Sequence, residues 1–273
     1  MCRWAAWIGK PIFLEEVISR PDHSLIAQSR RAEECKTAIN ADGFGVAWYA
    51  HRPEPGLYRD VHPAWSDSNL ATLAGQVRSP LFLVHVRAST GSAISRNNCH
   101  PFAVGRWSFM HNRQVGGFDQ CRKLADMAIP DDLYGDRRGA TDSEALFLRS
   151  VGYGLDKAPI AAMERAVMEM QKLSERFGST PHLRCSAAYS DGQQLYAVRY
   201  ASDDCAPTLY YRHCPKRCGY MVVSEPLDEM RESWQEVPQG RVLTFGATGV
   251  TSAPFLPDAS RRAGGMVSTQ YAT

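Results

Sequence analysis

Two blocks of strand-like sequence enclose a helical block, and this order limits the folds open to the chain. The first strand-like segments, rich in aromatic and β-branched residues, are 3–8, 44–49, 81–86 and 107–111. Helical spacing is strongest in 142–150 and 158–177, and it also predicts an early helix over 22–40. Strands return around the hairpin signal Asp191-Gly192. Strands on both sides of helices predict an α+β chain in which helices cover stacked sheets.

Length and composition are those of an ordinary globular protein. The 273 residues are 44% hydrophobic and 22% charged. Because no linker separates two compositions, we expect one domain over residues 2–256. Residues 257–273 are rich in serine, arginine and glycine and are expected to form a loosely ordered tail.

Charge and cysteine content exclude several classes of protein. A net charge of +2 gives no general attraction to nucleic acid or to an anionic membrane. The sequence has no apolar run of the ~18 residues that a membrane span needs, and its first residues do not predict a signal peptide. We therefore expect a cytoplasmic protein with reduced thiols. The spacing of Cys205, His213, Cys214 and Cys218 does not match a paired zinc knuckle, so no metal site is predicted.

The second residue offers a nucleophile. If Met1 is removed, Cys2 becomes the first residue and carries both a thiol and an α-amine. The thiol is a strong nucleophile only as a thiolate, with an ordinary pKa near ~8.5. An α-amine has a pKa of about 7.7–8.0, so it can act as the general base for its own side chain. Cys2 alone is equally consistent with the start of a buried strand. Other residues of the chain are needed to distinguish a nucleophile from an ordinary strand residue.

Three further residues suit the binding and polarisation of a substrate. Arg87 follows a buried strand and can hold a carboxylate through two hydrogen bonds or form a structural salt bridge. Asn112 lies where a strand is predicted to end, and it can donate to an oxyanion or belong to a turn. Asp142 lies at a predicted helix start, where it can bind an ammonium group or be stabilised by the helix dipole.

These residues belong to a series of motifs that resembles a known family, the class II (N-terminal nucleophile) glutamine amidotransferases. The motifs are Met1-Cys2, Asp42-Gly43-Phe44-Gly45-Val46-Ala47-Trp48, His85-Val86-Arg87, Asn98-Cys99-His100-Pro101-Phe102, Phe109-Met110-His111-Asn112 and Thr141-Asp142-Ser143-Glu144-Ala145. Residues 222–227 further resemble the stand-alone members, among them the γ-glutamyl amidohydrolase of the ergothioneine pathway. The resemblance extends from residue 2 to about residue 246.

The resemblance implies a four-layer αββα sandwich of two antiparallel sheets, the N-terminal nucleophile hydrolase fold, with residues 2–256 as one glutamine amidotransferase type 2 domain. It makes Cys2 the nucleophile and its amine the base. It makes Asn112 and the backbone N–H of Arg113 the oxyanion hole. The substrate-binding residues that it implies are Arg87 for the α-carboxylate, Asp142 for the α-ammonium group, and Thr90 and His100 in the pocket. No metal and no cofactor are expected.

The resemblance also implies a reaction, the cleavage of the γ-amide of glutamine or of a γ-glutamyl compound. A glutamyl thioester forms, and glutamate is released together with ammonia or an amine. The expected partner is therefore a small γ-glutamyl substrate. Any ammonia would need a separate synthase subunit to accept it, or the reaction is plain hydrolysis.

One departure from the family keeps a second hypothesis open. The family usually has Asn-Gly in the oxyanion loop, whereas this chain has Asn112-Arg113. If that position needs a positive φ, arginine costs about 1 kcal/mol or more there. The alternative function is accordingly a catalytically impaired or partner-dependent γ-glutamyl-binding subunit. A third hypothesis is a Cys–His hydrolase that uses His100 or His111, whereas His85 is expected in the core.

Overall fold

The computed structural model describes residues 2–34, 39–89 and 92–256. Its strands are β1 (Arg3–Phe13), β2 (Phe44–Tyr49), β3 (Gly56–Asp60), β4 (Arg78–Val86), β5 (Phe102–Val104), β6 (Trp107–Val115), β7 (Leu183–Ser190), β8 (Leu195–Ala201), β9 (Tyr210–Cys214), β10 (Gly219–Val223), β11 (Gln235–Glu236), β12 (Arg241–Gly246) and β13 (Gly249–Pro254). Its α-helices are α1 (Glu15–Ile18), α2 (Leu25–Arg30), α3 (Ser68–Gln76), α4 (Phe118–Met127), α5 (Asp131–Tyr134), α6 (Asp142–Gly152) and α7 (Pro159–Phe177). None of the helices in these ranges is both long and apolar enough to cross a membrane.

The strands form two antiparallel sheets. The first has seven strands in the order β11-β9-β10-β1-β4-β2-β3, and the second has six in the order β13-β12-β8-β7-β6-β5. Alternate side chains of each strand face opposite sides of its sheet, so each sheet can contribute to two cores.

Three buried clusters define four layers. Residues of both sheets, among them Trp4, Leu83, Met110 and Ala197, pack against one another between the sheets. The outer face of the first sheet packs against α1 to α3, and the outer face of the second packs against α4, α6 and α7. The expected αββα sandwich of two antiparallel sheets is therefore confirmed.

Strand β1 lies in the middle of the first sheet and places the N-terminal end of the chain. It pairs with β10 on one side and with β4 on the other, and Arg3 is the partner of Val86. Because the pairing is antiparallel, the start of β1 lies beside the end of β4. This register places Cys2 and Arg87 at the same end of these two inner strands.

A buried ion pair fixes the start of β1 against the C-terminal half of the chain. Arg3 Nε lies 2.8 Å from Glu225 Oε2, and both side chains are almost completely buried. The carboxylate of Glu225 also accepts the backbone N–H groups of Glu33 and Glu34. Glu225, His23 and Glu33 each place one possible metal-ligand atom within 4.8 Å of the others. The Glu225 carboxylate is already used by the hydrogen bonds above, which argues against a metal ion here.

The prediction of one helix over residues 22–40 is wrong. Helix α2 begins after Ser24, whose Oγ accepts the N–H of Ala27, and at Arg31 the backbone is already extended. Since Glu225 takes the N–H groups of Glu33 and Glu34, these donors cannot extend the helix. The predicted tail 257–273 lies outside the described residues, as do Met1 and Thr90.

Candidate active site

Most of the predicted site residues meet at one cavity of about 210 Å³. Cys2, Arg87, His100, Arg113 and Asp142 all line it. Cys2 and Arg87 come from the ends of the inner strands β1 and β4 of the first sheet, His100 from the loop before β5, Arg113 from β6 and Asp142 from the start of α6. Residues up to 140 positions apart in the sequence are thus brought together by the packing of the two sheets and α6.

Cys2 is half-buried at the start of β1, and its Sγ lies 3.6 Å from the carbonyl oxygen of Ala88. Cys2 is one of the residues that line the cavity. A second cysteine of the same region, Cys99, is fully buried, and burial raises the pKa of its thiol to about 11. Cys99 therefore stays protonated at neutral pH, which leaves Cys2 as the nucleophile candidate of this cavity.

Arg87 is buried and is held by neutral oxygen atoms. Its guanidinium donates to Asp42 O at 3.2 Å, to Ser89 Oγ at 3.1 Å and to Ser92 Oγ at 2.7 Å. Among the described residues, no carboxylate oxygen lies within 4.0 Å of it. A buried cation without a counter-ion is costly, so this geometry favours a carboxylate ligand over the structural salt bridge that was the alternative.

Asp142 is fixed at the start of α6 with its carboxylate at the cavity. Its Oδ2 accepts the N–H of Val115 at 2.7 Å, and its Oδ1 accepts the N–H of Ser143 at 2.8 Å. Thr141 caps the helix by accepting the N–H of Glu144. A carboxylate held by two backbone donors keeps one orientation, and this suits it to receive an ammonium group.

Asn112 does not end its strand, because β6 continues to Val115. It is buried, and its Nδ2 has no hydrogen-bond partner among the described residues. A buried amide without a partner is costly unless a ligand completes it. The next residue, Arg113, has a φ of 95°, so this position does need the positive φ that glycine usually provides.

Two neutral histidines, His100 and His111, line the cavity, and a third, His85, lies against His100. The rings of His85 and His100 lie with their centroids 4.4 Å apart and their planes tilted by 31°, and His100 also contacts Phe102. Burial lowers the pKa of His85 to about 3, aided by the charge of Arg87, and it lowers the pKa of His100 well below its usual value. Burial also lowers the pKa of His111, whose Nδ1 lies 2.9 Å from Ser143 Oγ.

The neutral histidines predict a loss of stability in weak acid. Their pKa values are near 6.5 in the unfolded chain and lower in the fold, so the unfolded chain binds more protons below pH 6.5. Stability is complete above that pH and falls by about 1.4 kcal/mol per pH unit for each such histidine. Urea unfolding at pH 7.5, 6 and 5 measures this slope. His100→Gln should reduce it and His51→Gln, at an exposed site, should not; a free energy unchanged from pH 7.5 to 5 would contradict the prediction.

Sequence reasoning missed the residues that hold the cavity together. Asp42 accepts the N–H of Ser89 through Oδ2 at 2.7 Å, in addition to binding Arg87 through its carbonyl oxygen. Asn98 accepts the N–H of Ala140 and donates to Ala93 O, so it connects two loops of the rim. Asp42 and Asn98 stand in the motifs described above, but their partners are distant in sequence and only the fold identifies them.

Comparison with known proteins identifies the family of this chain. The family model described as class-II glutamine amidotransferases matches residues 20–263. The chain belongs to the class-II glutamine amidotransferases. A probable glutamine amidotransferase of Saccharomyces cerevisiae, DUG3, is 31% identical over 94% of this chain and 85% of its own. The γ-glutamyl-hercynylcysteine sulfoxide hydrolase of Mycolicibacterium smegmatis is 27% identical over 93% of this chain and 100% of its own.

Solved structures share the fold. A glutamine aminotransferase class-II domain protein from Silicibacter pomeroyi is 51% identical over 94% of this chain and all of its own, with a TM-score of 0.77. The glutamine PRPP amidotransferase of B. subtilis has a TM-score of 0.62 at 12% identity over 94% of this chain and 50% of its own, which is a likeness of fold alone. Membership of the class-II amidotransferases confirms the expected family and the expectation of an enzyme of this type.

Proposed function

We propose that this amidotransferase is an N-terminal-cysteine amidohydrolase that cleaves the γ-amide of glutamine or of a γ-glutamyl compound. The observation that carries the proposal is the meeting of Cys2, Arg87 and Asp142 at one cavity. They supply a nucleophile, a partner for the α-carboxylate and a partner for the α-ammonium group. The names of two relatives, a probable glutamine amidotransferase and a γ-glutamyl compound hydrolase, support the same chemistry.

The reaction starts once Met1 has been removed. The α-amine of Cys2 takes the proton of its own thiol, and the thiolate attacks the carbonyl carbon of the γ-amide. As the C–S bond forms, the carbonyl electron pair moves onto oxygen. The C–N bond then breaks, and the amine gives its proton to the leaving nitrogen. Water attacks the resulting thioester, and breakage of the C–S bond releases glutamate and regenerates Cys2.

Asn112 and the backbone N–H of Arg113 are proposed to stabilise the oxyanion. The buried Nδ2 of Asn112 lacks a partner among the described residues, which suits a donor that becomes occupied when charge develops on oxygen. Substitution of Arg113 for the usual glycine leaves the backbone N–H in place. We therefore prefer a working oxyanion hole to an inactive one.

The proposal extends to the setting of the reaction. Residues 2–256 are proposed as one amidotransferase domain that works in the cytoplasm without metal or cofactor. Plain hydrolysis of a γ-glutamyl compound releases an amine to solvent, whereas hydrolysis of glutamine releases ammonia that a separate synthase subunit would accept.

Intact mass combined with glutamate release tests the proposal. The protein is incubated with glutamine and with γ-glutamyl amides, and we expect loss of Met1 together with glutamate release. Cys2→Ser should lose this activity, because serine is a far weaker nucleophile beside the same amine. Cys205→Ser, which changes an exposed cysteine, should keep it. A processed protein with Cys2 intact that releases no glutamate from any of these substrates would overturn the proposal.

The second candidate function is a γ-glutamyl-binding subunit, favoured by the positive φ of Arg113. In this case the processed protein would bind glutamate, detected by calorimetry, without turning over any amide. Clear turnover in the assay above would exclude it.

A further inference from the structure

We propose that the hydroxyl oxygen of Ser143 completes the binding site for the α-ammonium group, and that His111 positions this hydroxyl by accepting its proton. This rests on the proposed function and deepens it, because it adds two residues to the part of the site where Asp142 is proposed to bind the substrate. Ser143 and His111 are both buried, and both line the cavity together with Asp142.

Asp142 alone offers too few acceptors for an ammonium group. A carboxylate has about four positions at which it can accept a hydrogen bond. Backbone donors already take one position on each oxygen, because the N–H of Val115 binds Oδ2 at 2.7 Å and the N–H of Ser143 binds Oδ1 at 2.8 Å. About two positions are left, whereas an ammonium group brings three N–H donors. A third acceptor beside Asp142 would therefore complete the site.

The hydroxyl oxygen of Ser143 lies where this third acceptor is needed, 3.2 Å from Asp142 Oδ1. A hydroxyl has one proton to donate and two lone pairs that can accept. If its proton pointed to Asp142, the hydroxyl would compete with the ammonium group for the carboxylate. If its proton points elsewhere, both oxygens can accept from the ammonium group. The direction of this proton therefore decides whether Ser143 assists or opposes binding.

His111 sets the direction of the Ser143 proton. Its Nε2 lies 3.3 Å from the carbonyl oxygen of Arg184, which can only accept, so Nε2 carries the ring proton. Burial lowers the pKa of His111, so the ring is neutral at neutral pH and its Nδ1 is unprotonated. Nδ1 lies 2.9 Å from Ser143 Oγ and accepts the hydroxyl proton. The oxygen of Ser143 thereby keeps its lone pairs for the substrate.

A matched pair of amides tests the role of Ser143. Glutaramic acid is glutamine without its α-ammonium group, so the ratio of the two kcat/KM values measures recognition of that group. For Ser143→Ala, we expect the preference for glutamine to fall about 10–100-fold, mainly through KM, since one hydrogen bond to a charged group is lost. Ser143→Thr keeps a hydroxyl and should keep most of the preference.

Two variants and one measurement on the wild type test the positioning role of His111. His111→Leu removes the acceptor and lets the Ser143 proton turn to Asp142, so the preference for glutamine should fall. His111→Asn places an amide oxygen near the position of Nδ1 and should restore part of it. In the wild type, the nitrogen NMR shifts of the His111 ring should show a proton on Nε2 and none on Nδ1. A proton on Nδ1 would overturn the positioning role even if the variants do not fold.

The controls separate failure of the inference from failure of the proposed function. Ser150→Ala removes a buried hydroxyl of the same helix that does not line the cavity, and it should keep the wild-type ratio. If Ser143→Ala keeps the ratio, whether or not both values fall, the inference fails while the amidohydrolase stands. If no amide is cleaved, the proposed hydrolysis fails, and calorimetry with glutamate and glutarate tests the ammonium site instead. Ser143→Ala should then narrow the difference in affinity between these two ligands, and an unchanged difference overturns the inference.

Discussion

A protein that carries additional residues before Cys2 is expected to lose its amidohydrolase activity. An N-terminal extension converts the α-amine of Cys2 into an amide, which cannot accept the thiol proton. General base catalysis contributes about 10²–10⁴-fold to a rate, and at least this loss is expected. Because Cys2 lines the cavity, the extension would also occupy space that the substrate needs.

The experiment uses an extension that ends in a protease site whose cleavage leaves Cys2 as the first residue. Glutamate release should be absent before cleavage and appear after it. An extension of equal length at the C-terminus serves as the control and should leave the rate unchanged. A Cys–His hydrolase that uses His100 or His111 as its base would instead remain active with the N-terminal extension in place.

Replacement of Arg87 by alanine is the second change with a large expected effect. The loss of two charge-assisted hydrogen bonds to the α-carboxylate should lower kcat/KM by about 10²–10³-fold, mainly through KM. Arg87→Lys should lie between alanine and wild type, since lysine keeps the charge but not the paired donors. Arg87 also donates to Asp42 and Ser92, so the thermal midpoint of each variant must be measured alongside.

A truncated substrate separates recognition from folding. 4-Aminobutanamide is glutamine without its α-carboxylate. The wild type should strongly prefer glutamine, whereas Arg87→Ala should treat the two amides nearly alike. If Arg87→Ala loses activity on both amides in equal proportion, Arg87 supports the structure of the site and does not recognise the carboxylate.

Local pattern in the sequence predicted stacked sheets covered by helices, whereas the four-layer order and the grouping of the site residues were implied by the resemblance to a family. The run of apolar residues before Arg87 identified a buried strand, and antiparallel pairing with β1 then brings Arg87 beside Cys2. The role of each residue in the site stays a prediction until the kinetics are measured.

Other features depend on contacts that a local pattern does not contain. The helix predicted over 22–40 is short because the N–H groups of Glu33 and Glu34 donate to the carboxylate of Glu225, almost two hundred positions away. The neutral oxygens around Arg87 and the ring contact between His85 and His100 come from loop and sheet packing. The sequence could not predict the positive φ of Arg113, because the presence of an arginine does not reveal the conformation of its backbone.

The central position of β1 also has a consequence for the order of events during synthesis. The N–H of Trp4 donates to Ser224 Oγ, 220 positions later, and Arg3 needs Glu225 as its ion-pair partner. These contacts cannot form until most of the chain has left the ribosome, and pairings between such distant segments are slow to form. The first residues therefore stay accessible to an aminopeptidase during translation. Removal of Met1 can be complete before the strand behind the nucleophile takes its place in the sheet.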